Sequence, residues 1–118
     1  RLQGDWSSDV CSSDLVDALI RAAQAAGGHA TVLARGDDGA GTVLIECAEK
    51  GRPGPLLERI LGLDGRYGWV RCGPQDIENR HEITDYLARR RARDPDLWLI
   101  ELDIVEAERF AAETIVHG

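Results

Sequence analysis

Apolar residues recur along this chain with two different periods, and the periods place the elements. Val16, Leu19, Ile20 and Ala23 fall at i, i+3, i+4 and i+7. That spacing makes one apolar stripe and predicts a helix over Leu15–Ala26, with Asp14 as its N-cap. Gly27-Gly28 follows and ends the helix, because glycine accepts the left-handed conformation at C′. The period then drops to two. Thr31–Arg35 and Thr42–Ala48 read as short strands. The second carries Val43, Ile45 and Cys47 on one face and Thr42, Leu44 and Glu46 on the other. Gly36-Asp37-Asp38-Gly39 between them predicts a hairpin loop. Leu56–Leu61 and Arg66–Arg71 predict another strand pair, joined by Asp64-Gly65, a strong two-residue turn signal. Gly51–Pro55, rich in glycine and proline, reads as a loop.

Helical spacing then returns. Pro74 and Asp76 open a helix that runs to about Arg93, with Ile83, Tyr86 and Leu87 as its buried stripe. Asp94-Pro95 stops it, since a residue before proline avoids the helical region. Leu97–Asp103 is the most apolar strand. Trp98, Leu99, Ile100 and Leu102 predict burial on both faces and a central place in the sheet. A last helix from Glu106 to about Ile115 packs Ala107, Phe110 and Ala111. The order α-β-β-β-β-α-β-α predicts one α+β domain with a mostly antiparallel sheet and flanking helices.

Residues 5–15 read Asp-Trp-Ser-Ser-Asp-Val-Cys-Ser-Ser-Asp-Leu. They match, residue for residue, the translation of a common sequencing-library adapter. Trp6, Cys11 and the surrounding serines and aspartates are therefore expected to carry no chemistry. The chain divides into a non-native segment, 1–15, and a single α+β domain, 16–118. Setting aside Arg1, Asp5, Asp9 and Asp14 moves the formal net charge from -7 to -5. That balance argues against a nucleic-acid partner, because phosphate contacts need clustered Lys and Arg. Cys47 and Cys72 remain, with neither the number nor the spacing of a disulfide framework. A reducing, cytoplasmic compartment is expected. No apolar run approaches the length of a membrane span, so no membrane partner is expected.

Several residues invite a chemical reading. His81-Glu82-Ile83-Thr84-Asp85 is a truncated form of a zinc-peptidase helix motif, with His81 and Asp85 at i and i+4. Asp85 stands where a second histidine belongs and no third ligand is near, so a solvated helix face is expected and no metal. Cys47, Cys72 and His81 lack the close cysteine pair of zinc sites, and Cys47 alternates with Val43 and Ile45 as a buried residue does. Gly36–Gly41 runs strand to strand rather than into a helix N-terminus, so it lacks the geometry of a phosphate cradle. Asp37 and Asp38 fall short of a calcium ligand set.

Arg89-Arg90-Arg91 with Arg93 is the sharpest charge feature. Arginine forks suit phosphate or carboxylate, but basic residues in a last turn also complement the helix dipole. Tyr67, Trp69 and Arg71 alternate on one strand face and suit a stacking platform, in competition with core packing. No cofactor is implied. No nucleophile–base pairing is readable in the order of residues.

Ala25–Asp37, Ala40–Leu44 and Asp94–Asp103, the last reading Asp-Pro-Asp-Leu-Trp-Leu-Ile-Glu-Leu-Asp, resemble the bacterial family called domain of unknown function 1491. The resemblance covers the chain after Leu15. It implies a small single-domain bacterial protein and transfers no site. The resulting expectation is an uncharacterised, non-catalytic binding or protein-interaction module. Its candidate surfaces are the arginine-rich helix end (Arg89, Arg90, Arg93) and the strand face of Tyr67, Trp69 and Arg71. The alternative is binding or processing of a small anionic ligand, such as a nucleotide, near that helix end.

Overall fold

The computed structural model describes residues 11–39 and 41–115. Its elements are α1 (Ser12–Ala25), β1 (His29–Ala34), β2 (Val43–Glu49), β3 (Arg52–Leu61), β4 (Tyr67–Cys72), α2 (Arg80–Arg93), β5 (Trp98–Asp103) and α3 (Ala107–Ile115). This is the α+β order that the periodicity predicts. The five strands lie in the order β1-β5-β2-β3-β4. Three pairings are antiparallel, and β2 with β5 is parallel. Both faces of the sheet are covered. On one, Val43, Ile45, Cys47, Trp98, Ile100 and Leu102 pack with Leu15, Val16 and Leu19 of α1 and Ala107 and Ala111 of α3. On the other, Leu44, Leu56, Leu97 and Leu99 pack with Ile83 and Leu87 of α2. The double coverage explains why β2 and β5 are apolar at successive positions rather than alternate ones.

The predicted hairpin between the first two strands does not form, because β5 is inserted between them. The loop from Gly36 to Gly41 instead passes over the start of β5. Asp37 N–H donates to the Asp96 carbonyl at 2.9 Å and Trp98 N–H to the Thr42 carbonyl at 2.7 Å. The Trp98 indole N–H donates to the Asp37 carbonyl at 2.7 Å. A strand apolar on both faces has two edges to satisfy as well, and β5 satisfies them with β1 and β2.

The same loop corrects the start of α1. The N-cap is Cys11, without a side-chain cap, and Asp14 lies inside the first turn. Ser12 and Ser13 N–H donate to the Gly39 and Asp38 carbonyls at 3.3 and 3.0 Å, and Ser12 Oγ–H donates to the Gly41 carbonyl at 2.6 Å. Loop carbonyls thus take the orphan N–H groups that a cap would satisfy. Residues 5–10 of the adapter-like string, Trp6 included, lie outside the described residues. Cys11 to Leu15 open α1. At its other end Gly27 has φ +91°. Gly28 N–H reaches the Ala23 carbonyl at 2.8 Å and Gly27 N–H the Gln24 carbonyl at 3.2 Å, a Schellman closure.

Three boundaries move for local reasons. Lys50 and Gly51, with φ of 52° and 80°, form a two-residue turn between β2 and β3, so part of the predicted Gly51–Pro55 loop is strand. The Asp103 carboxylate accepts from both turn N–H groups, at 2.6 and 3.0 Å. Pro53 and Pro55 sit where β3 extends past its last pair with β4, Leu56 with Cys72. Their missing N–H groups are tolerated at such an edge. The β3–β4 connection is Gly62–Arg66 rather than a two-residue Asp64-Gly65 turn, closed by Gly62 N–H to the Arg66 carbonyl at 2.7 Å. Helix α2 starts at Arg80, not at Pro74 or Asp76. Asn79 Oδ1 accepts from Glu82 N–H at 3.1 Å, and Asn79 Nδ2–H donates to Glu82 Oε2 at 3.3 Å. The first bond is an N-cap, and the second ties the two side chains together.

Candidate ligand and partner surfaces

The Asn79 cap sets where α2 begins, and so which residues it turns toward the sheet. Ile83 and Leu87 enter the core, and Arg90, one turn further, lies half-buried over β3. Its guanidinium donates to Glu58 Oε1 and Oε2 at 3.1 and 2.9 Å and to Tyr86 Oη at 2.7 Å. Hydrogen bonds to Glu58 hold Arg90 firmly in its charged form. At the other end of the helix Arg80 reaches Glu46 of β2. Arg89, Arg91 and Arg93 are exposed and have no ion-pair partner among the described residues. The arginine run is therefore divided: one member clamps helix to sheet, and the rest face water.

On β4, Tyr67, Trp69 and Arg71 share a face, but on the side of the sheet opposite α2. Trp69 packs against the core below α1 and α3. Tyr67 lies under the Arg59 guanidinium, 4.0 Å from ring centroid to Cζ. Arg71 makes two contacts to Glu108 of α3, at 2.6 and 2.8 Å. The two candidate surfaces thus stand on opposite faces, and no single site borders both Arg90 and Trp69.

The strands expose a surface that aromatic content did not point to. Glu58 pairs with Val70 and Ile60 with Gly68, so Ile60 and Val70 are diagonal neighbours on the α2 side. Ile60 is 39% exposed and Val70 47%, and a fully exposed Leu63 follows in the connection; Leu61, paired with Tyr67, belongs to the other face. No atom lies within 4 Å of where a Gly68 Cβ would stand, so the surface between Ile60 and Val70 is open. Ile60 and Val70 are ten residues apart in the sequence, and only the β3–β4 pairing brings them together beside Gly68.

Concavities among the described residues border these elements. One of about 370 Å³ lies beside the β2–β3 turn, with Cys47, Arg52, Pro53, Glu106 and Glu108 on its walls. One of about 390 Å³ lies between Pro55, Arg71 and Pro74. Another, of about 430 Å³, runs between the end of β1 and the last turn of α2, with Arg35 and Arg91 on its walls.

Over residues 11–112 the chain matches the family model described as protein of unknown function, DUF1491. This chain belongs to the DUF1491 family. The crystal structure of a DUF1491 family protein from Caulobacter crescentus is 29% identical, with a TM-score of 0.69 over 80% of this chain and 87% of that one. An NMR structure of a DUF1491 family protein from the same organism is 28% identical, with a TM-score of 0.69 over 82% and 87%. The solution structure of a protein from A. tumefaciens is 26% identical, with a TM-score of 0.63 over 81% and 86%. No curated protein matches the chain. The DUF1491 relationship establishes family and fold.

The metal motifs of this DUF1491 chain dissolve into its geometry. His81 Nε2 lies 3.4 Å from Asp85 Oδ2 on an exposed helix face. Cys47 belongs to the α1/α3 core and Cys72 packs on the α2 side, so the sheet separates them. Among the described residues no group of three or more His, Cys, Asp or Glu is placed to hold a metal ion. No helix of these residues is long and apolar enough to cross a membrane. Burial, reinforced by Glu108, pushes the Cys47 thiol from 9.0 up to about 12. The folded chain then keeps a proton that the unfolded chain loses above pH 9. This thiol's stabilisation is complete below pH 9 and is lost as pH rises toward 12. Cys47→Val is expected to flatten that alkaline fall in denaturation midpoints, whereas an unchanged fall would refute it. Burial also raises Cys72.

Proposed function

We propose that this protein is a non-catalytic interaction module that engages a protein partner through the α2-side surface of the β3–β4 hairpin. The observation that carries this reading is the contiguous exposure of Ile60 and Val70 across Gly68, with Leu63 exposed in the adjoining connection. Contiguous exposed apolar surface with a polar rim marks interaction sites on soluble domains. The rim here is the Glu58–Arg90 pair, beside Val70 and at the arginine-rich helix end, where Arg89 and Arg93 add free positive charge. Tyr67 with Arg59, Trp69 and Arg71 lie on the opposite face of the sheet, outside this patch. Gly68 lets a partner backbone approach the sheet closely.

The test is a comparison of the chain with Ile60→Asp/Val70→Asp as baits in extract from the native host. Both side chains already face water, so the double variant is expected to keep the parent melting temperature. The parent should retain a partner that the variant loses. Equal retention by both would overturn the reading. A second reading, a small anionic ligand such as a nucleotide at the helix end, is supported by the groove that Arg35 and Arg91 line.

A further inference from the structure

At the other end of the sheet from the hairpin lies β1. It pairs with β5 on one side and, among the described residues, with no strand on the other. Open edges are usually blocked by lysine, proline or other charged residues. His29-Ala30-Thr31-Val32-Leu33-Ala34 contains no proline, lysine, arginine or carboxylate. Val32 is 37% exposed and Leu33 47%. Regular pairing ends at an irregularity between Val32 and Ala34, where the edge opens into the groove of about 430 Å³.

The chemistry of that groove is specific. Ala34, Ala88 and Ala92 give it shallow walls, and Arg35 and Arg91 flank it. Arg91 has no ion-pair partner among the described residues. Arg35 stacks over Trp98 at 5.1 Å and pairs with an Asp38 that is itself mostly exposed, a contact of small worth. Asp94, the one carboxylate on the wall, accepts from Asp96 N–H at 3.2 Å and so serves its own turn. A chain of net charge -7 therefore ends an unblocked strand edge in a positively charged groove.

We infer that the free edge of β1 takes up an extended acidic peptide segment as an added strand, with its carboxylates held by Arg35 and Arg91. Backbone hydrogen bonds along His29–Val32 supply affinity, and the arginine forks set register and direction. The surface is separate from the hairpin patch, and the inference stands or falls without it.

Fluorescence anisotropy of labelled peptides tests this. The probes are alternating valine–threonine peptides with two glutamates at the N-terminal or the C-terminal end. Two controls carry lysines in place of the glutamates, or N-methyl groups on alternate amides. One glutamate peptide is expected to bind and to shift the amide resonances of residues 29–32. Lysine replacement and N-methylation should each weaken binding about ten-fold or more, as should Arg91→Glu on the exposed helix face. The inference fails if neither glutamate peptide binds, if the N-methylated peptide binds as well, or if Arg91→Glu changes nothing. It also fails if inorganic phosphate shifts the groove resonances while no peptide binds, or if self-association of the chain occupies the edge.

Discussion

Gly41→Ala is expected to destabilise the fold by about 3 kcal/mol or more, and Gly36→Ala by a similar amount. A Cβ on Gly41 would stand 2.0 Å from the Asp96 carbonyl oxygen, and one on Gly36 2.1 Å from the same atom. Neither glycine is needed for a left-handed backbone. They are needed because the loop lies directly on the chain that enters β5. The obstacle is backbone, which cannot swing aside as the end of a side chain does. Moving the loop away would also break Trp98 indole N–H to Asp37 and Ser12 Oγ–H to Gly41, loosening β5 and α1 together. Thermal unfolding should fall by roughly 12 °C or more in a domain of this size. Gly27→Ala and Gly65→Ala, strained by φ of +91° and +83° but open to solvent, should cost about 1–2 kcal/mol each. If Gly41→Ala proved no worse than these, the loop would not lie on β5 as described.

Arg90→Ala is expected to cost about 2–3 kcal/mol. The Arg90 and Glu58 side chains are 23% and 19% exposed, so removing the guanidinium strands a half-buried carboxylate and leaves Tyr86 Oη without its donor. Some solvent remains, which puts the figure below that of a fully buried pair. Replacing both partners tells a different story. Arg90→Met with Glu58→Leu removes the stranded charge and keeps apolar volume, and should lie within about 1 kcal/mol of the parent. Denaturant midpoints of the two singles and the double separate the cases. A double variant as unstable as the sum of the singles would mean that the pair acts through something other than mutual charge compensation.

The same pair shows where sequence reading stopped. That Arg90 sits near a helix C-terminus was legible, and so was a role for such residues beside the dipole. Its partner lies 32 residues away on β3, and no local pattern links them. Element order was legible for the opposite reason: Val16, Leu19, Ile20 and Ala23 declare a helix within two turns. Strand order was not, because β5 enters between β1 and β2 from the far end of the chain. The apolar run Trp98–Ile100 announced an interior strand without naming its neighbours. Lys50-Gly51 was missed because lysine rarely takes a positive φ. Asp103, brought alongside by the β2–β5 pairing, supplies the carboxylate that holds that turn. On β4 the alternation was visible, but the face that would be covered was decided by α3 and Arg71–Glu108. Those contacts leave Val70, not Trp69, toward water.

The most direct test of the interaction reading is an amide chemical-shift map of the chain with the partner it retains. Perturbations centred on residues 60–70, absent with Ile60→Asp/Val70→Asp, are the predicted result. Perturbations confined to the last turn of α2 and the groove beside β1, with residues 60–70 unmoved, would contradict it.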